Sequence, residues 1–101
     1  MTLEERIKMT RESTERRIKI MEEKGPEYSR YGSNVNGNFV HTADFLGTTA
    51  QFVCLVYFLK HVEAIIAYVL TGKQSCESIE SRLDDARNYL DILESLIMEG
   101  G

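Results

Sequence analysis

From Phe52 to Leu59 the chain reads Phe-Val-Cys-Leu-Val-Tyr-Phe-Leu, an unbroken apolar run in a protein of only 101 residues. Thr48 and Thr49 before it and Gly72 beyond its continuation are helix-capping residues, so the run belongs to a helix over 48–71. A helix that is apolar all round has to be covered all round. A chain this small buries only roughly 60–65% of the surface its unfolded form exposes and supplies few partner helices. Part of the helix is therefore expected to pack against a second copy, making the protein a homo-oligomer.

The remaining segments read as helices too. Thr2 and Glu5 form a capping box that opens a first helix over 1–25, with Leu3, Ile7, Thr10, Thr14, Ile18 and Met21 as its inner face. Gly25-Pro26 is a stop signal. Residues 26–37, rich in Gly, Ser, Asn and Tyr, show no hydrophobic period and read as a functional loop weighted by Tyr28 and Tyr31. Asn38 caps a short helix over 38–47 that closes at Gly47, and Ser75 caps a last helix over 75–99. The expected fold is all-α, a single domain over 1–101: a small helical bundle of three long helices plus one short one. Its third and fourth helices should form an antiparallel hairpin across Thr71–Gln74.

In the last helix, Ile79, Leu83, Ala86, Leu90, Leu93 and Ile97 make one apolar stripe at 100° per residue, predicted to face the core. Tyr89, Ile92 and Leu96 make a second, shorter stripe whose upstream continuation is Asp85. A carboxylate among packed neighbours needs a partner, a cation or a ligand. Glu77, Asp84, Asn88 and Asp91 point away from the main stripe and read as a solvated face, flanked by Glu80 and Asp85. Such carboxylates can also supply oxygen ligands to Mg²⁺. Lys60 interrupts the apolar helix and is the natural partner for Asp85.

Composition excludes several classes. A net charge of −4 with interspersed signs argues against direct nucleic-acid binding as the main task. The Lys and Arg residues of the first thirty positions alternate with Glu, as on a solvated helix face. Cys54 and Cys76 lack any motif and read as reduced thiols of a cytoplasmic protein, and His41 and His61 have no metal-ligand spacing. Lys60, His61 and Glu63 break the apolar stretch, so no membrane span is expected. Neither a Walker loop nor a GxSxG, HExxH or GxGxxG element occurs, so no catalytic residue is assigned.

The segments Ile20-Met21-Glu22-Glu23-Lys24-Gly25-Pro26-Glu27-Tyr28, Asn38-Phe39, Leu59-Lys60-His61, Glu77-Ser78-Ile79-Glu80 and Asp85-Ala86-Arg87-Asn88-Tyr89 resemble a known family. It comprises small phage and bacterial proteins of the nucleotide modification associated domain, first type. That family carries a Lys-x-x-Asp-Tyr element, a Lys in its long middle helix and a Glu-Ser-Ile-Glu…Asp-x-x-Asn-Tyr element in its last. Carried over by position, the resemblance implies Lys24, Glu27, Tyr28, Asn38, Lys60, Asp85, Asn88 and Tyr89 as ligand-binding residues. It implies Glu77, Glu80 and Asp85 as Mg²⁺ ligands. Glu27 stands where the family has Asp, and Ser29 where Gly often follows the Tyr. In outline the chain is also similar to the all-α nucleotide pyrophosphohydrolases, whose paired acidic motifs are only approximated by Glu77-x-x-Glu80 and Asp85-x-x-Asn88.

Two functions follow as expectations. One is a phage-type protein that binds a nucleotide or modified nucleotide between the third and fourth helices, with or without Mg²⁺-dependent hydrolysis, in the host cytoplasm if phage-encoded. The other is a non-enzymatic inhibitor of a host defence system that acts by contact with a host protein.

Overall fold

The computed structural model describes residues 1–28, 34–74 and 76–100, with Tyr28 in its backbone only. Four helices follow one another: α1 Leu3–Tyr28, α2 Gly37–Leu46, α3 Ala50–Thr71 and α4 Ile79–Met98, with no strand among the described residues.

Local chemistry sets most of these boundaries. Thr2 and Glu5 cap α1 reciprocally: the Glu5 N–H donates to the Thr2 hydroxyl at 3.1 Å and the Thr2 N–H to the Glu5 carboxylate at 3.4 Å. The Thr49 hydroxyl accepts from the Phe52 N–H and opens α3. Gly47 and Gly72, at φ of 72° and 69°, end α2 and α3 in the left-handed conformation that only glycine adopts cheaply. Gly25 does not act this way. It keeps negative φ, so α1 passes through Gly25-Pro26 and ends at Tyr28, three residues beyond the expected stop. Proline this near the C-terminus disturbs a single turn. At α4 the cap is Ser78, whose hydroxyl accepts from the Ser81 N–H, and the Gln74 side chain accepts from the Ile79 N–H at 2.7 Å. Ser75, the expected cap, lies outside the described residues, as does Tyr31.

Helix α4 is the centre of the bundle. It packs on α3 along one side and on α1 along another, while α2 bridges α3 and α1. Contacts between α3 and α4 run in opposite chain order, from Cys54 with Tyr89 to His61 with Asp85. The core gathers Phe39, Ala43, Ala50, Val53, Cys54 and Leu96, with Tyr89, Ile92 and Leu93 packed against it. Phe39 meets the rings of Tyr57 and Tyr89 edge-on at 6.0 and 6.4 Å. Such pairs add about 0.5–1.5 kcal/mol each beyond the area they bury.

Three expected faces are corrected. Helix α4 turns its shorter stripe inward together with Ala86 and Leu93 of the main one: Leu96 and Ala86 are buried, whereas Leu90 and Ile97 are about half exposed, at 48% and 56%. On α1 the expected inner residues Leu3, Ile7, Ile18 and Met21 are exposed, and Ser13 is buried instead. Within the apolar run of α3 only Val53 and Cys54 are buried. The common cause is the small number of helices: α1 lies on α4 and α2 and makes no contact with α3, which is left uncovered on its far side. By length and composition alone, Ala50–Thr71 is apolar enough to cross a bilayer.

Candidate functional site

Of the row read as a solvated face of α4, Asp84 and Asn88 are buried in a polar seam against α1 and Asp91 lies at its edge, while Glu77 stays exposed. Asp84 accepts hydrogen bonds from the Ser13 hydroxyl at 3.1 Å and from Arg16 Nε at 2.9 Å, and Arg87 reaches it at 3.2 Å. Two turns on, Arg17 donates to Asp91 at 2.7 Å. Burial pushes the Asp84 carboxyl up, but the bonds from Arg16 and Ser13 and the charges of Arg16 and Arg87 outweigh it and hold it below the ordinary range. These bonds dock α1 on α4, with Arg17 Nε buried and unpaired among the described residues.

Beyond Asp84 the same seam opens. Met21 and Gly25 of α1, Val35 and Asn36 of the following turn, and Asn88, Asp91, Ile92 and Ser95 of α4 line an open cavity of about 260 Å³. Asn36, only 2% exposed, spans it: its amide donates to the Ser95 hydroxyl at 2.9 Å and to Glu99 at 3.3 Å. Asn88 is 6% exposed, and its carboxamide oxygen has no hydrogen-bond partner among the described residues. A buried carbonyl left unpaired costs roughly 1–3 kcal/mol; Arg17 Nε, His61 Nδ1 and Arg82 Nε are likewise buried without a hydrogen-bond partner among the described residues.

On the opposite side of α4 lies a second polar group. His61 Nδ1 stands 3.8 Å from Asp85, too far for a hydrogen bond, and the imidazole stacks on Tyr89 at 5.3 Å. Burial lowers the pKa of His61 and raises that of Asp85, each against the pull of the other, so the environment favours the neutral form of both. The cavity between α3 and α4, lined by Ala64, Ala67, Tyr68 and Ile79 among others, holds only about 60 Å³. That volume suits water rather than a nucleotide.

The residues singled out in the sequence are thus divided between two sides of α4. Asn88 lines the larger cavity beside Gly25, with Lys24 and Glu27 exposed on the adjoining end of α1. Asp85 and Tyr89 sit with His61 on the α3 side, within reach of the Lys24 charge. Lys60 is exposed on α3, and His61 occupies the place beside Asp85 expected for it. Asn38 lies half-buried in the first turn of α2, and the Tyr28 side chain is outside the described set. Glu77 faces Arg82 at 3.3 Å and Glu80 lies near Arg16. Among the described residues no three His, Cys, Asp or Glu side chains converge, and of the expected Mg²⁺ ligands Glu77 pairs with Arg82 while Asp85 faces His61.

Ser13 and Asn36 carry no signal in the sequence as site residues, and His61 reads there only as a polar break in the apolar helix beside Lys60. No family model, curated protein or solved structure matches this chain.

Proposed function

We propose that the chain is a small-molecule binding protein whose ligand is a nucleobase or nucleoside held in the cavity between α1, the Val35–Asn36 turn and α4. The observation that carries the reading is the buried, unpartnered carboxamide oxygen of Asn88 on that wall. Met21, Val35 and Ile92 offer apolar walls for a flat ring, and Asn88 accepts from an exocyclic amine or a ring N–H. A cavity of about 260 Å³ lies below the ~300–1,000 Å³ of drug-sized pockets, so a phosphate would remain outside, beside exposed Lys24. The nucleotide reading thereby moves from the α3–α4 groove to the α1–α4 side, and it also draws on the resemblance of the Lys24–Tyr28 and Asp85–Tyr89 segments. Binding is the role proposed; no hydrolytic step is assigned.

The test is a thermal-shift and calorimetric screen of nucleobases, nucleosides and mono-, di- and triphosphates, with and without Mg²⁺. A true ligand at 100 times its dissociation constant adds about 2.7 kcal/mol to the stability. Asn88→Leu should abolish that shift while leaving the free protein as stable as before or more so, since it removes an unpaired buried group. Absence of any shift across the whole panel would discard the reading.

A further inference from the structure

The outer face of α3 has an order of its own. Phe52, Val56, Leu59, Ile66 and Leu70 are each more than half exposed, and they fall on one line of the helix with Glu63 between Leu59 and Ile66. Spacings of four, three, four, three and four average close to the 3.5-residue period of a helix–helix seam. Covering this strip with its flanks, Leu46 and Leu55, would bury on the order of 800 Å² per copy, the area of a standard specific interface. A monomer rarely leaves so large an apolar patch in water.

We propose that a second copy of this chain occupies the face, its α3 lying antiparallel to the first about a two-fold axis near His61. Charge selects the direction. Lys60 and Glu63 are both exposed, and neither has an ion-pair partner among the described residues. A parallel pairing sets Glu63 against Glu63 along the seam, which repels. An antiparallel pairing with Phe52 opposite Leu70 sets Lys60 of each copy beside the partner's Glu63, giving two equivalent ion pairs at the centre. Shape agrees with charge. At the Phe52 end, a recess of about 300 Å³ lies between α2 and α3, walled by Leu46, Phe52, Val53, Val56 and Tyr57. The antiparallel register delivers to it the partner's Leu70, a residue 79% exposed in the single chain. A bilayer fits the face less well, because Lys60 and Glu63 would both lie at mid-membrane depth.

Sedimentation equilibrium of the full chain across the micromolar range tests the proposal. The wild type should run at twice the chain mass. Lys60→Glu and Glu63→Lys should each weaken the dimer by about tenfold or more, and the two together should restore it. In a Cys76→Ser background, Phe52→Cys mixed with Leu70→Cys should form a disulfide-linked dimer that neither gives alone. Leu59→Glu should yield a monomer with unchanged helical circular dichroism. A monomeric wild type, failure of the double charge swap to recover, or flotation of the wild type with phospholipid vesicles would overturn the proposal.

Discussion

The two flanks of this bundle distribute polarity in opposite ways. Between α1 and α4 the contact is polar, with Ser13, Asp84 and Asn88 nine-tenths or more buried; on the outside of α3 apolar side chains stand in solvent. The seam is directional. Its charged groups have named partners at fixed distances, so it specifies one docking of α1, while Arg17 Nε and the Asn88 carboxamide oxygen stay unpaired among the described residues. The α3 face is apolar along its length, with Lys60 and Glu63 as its charged members. A four-helix chain thus uses hydrogen bonds to fix its own topology and leaves an apolar face of α3 exposed.

Substitutions at the two flanks should therefore differ sharply. The largest loss is expected for Leu96→Ala, which opens a cavity at a residue 1% exposed and should cost about 3–5 kcal/mol in urea unfolding. Next comes Asp84→Asn, at about 2–4 kcal/mol, because it weakens the bonds to Ser13, Arg16 and Arg87 while the site stays buried; the half-exposed Arg16 keeps the loss below that of a fully buried pair. A folded-state carboxyl held below its unfolded value stabilises the fold at neutral pH and loses that contribution as pH falls through the depressed pKa. The gap between wild type and Asp84→Asn should accordingly close below about pH 4, and a gap that persists there would show that packing rather than charge holds α1.

A smaller, pH-dependent effect belongs to His61. Burial lowers its pKa, so the folded state resists protonation, and stability should fall as pH drops below about 6.5 towards the depressed value. Asp85, with a raised pKa, acts in the opposite sense at lower pH, where protonation relieves its desolvation. His61→Gln should remove the near-neutral slope and leave the acid limb of Asp84 in place, as acid titration followed by circular dichroism would show. The smallest change is expected at Leu59→Ser, within about 0.5 kcal/mol in protein too dilute to associate. A loss there as large as that at Leu96 would mean that α3 is covered within the single chain.

Helix by helix, the all-α character and most caps were legible, since Thr2–Glu5, Thr49, Gly47 and Gly72 act through neighbours a few residues away. The rotation of α1 and α4 was not. Hydrophobic periodicity turns every Asp and Arg outward, whereas Asp84 is buried by Ser13, 71 residues distant in sequence. The stop at Gly25-Pro26 failed for a related reason: a glycine caps a helix only where the chain beyond requires positive φ, and here it does not. Of the candidate site, Asn88 was legible through its motif. Its cavity was not, because Asn36 looks in sequence like an ordinary turn residue until Ser95 and Glu99 come within its reach.

Cys54 turns the α3–α4 contact into something that can be timed. Its thiol is completely enclosed, donates to the Tyr89 carbonyl at 3.4 Å, and is pushed by burial to a pKa of about 11, while Cys76 is exposed. An alkylating reagent at mildly alkaline pH therefore modifies Cys76 at once. It reaches Cys54 only when the two helices part and the sulfur becomes a thiolate. The second alkylation is a clock built into the chain, and its rate reports how often the central helix pair breathes.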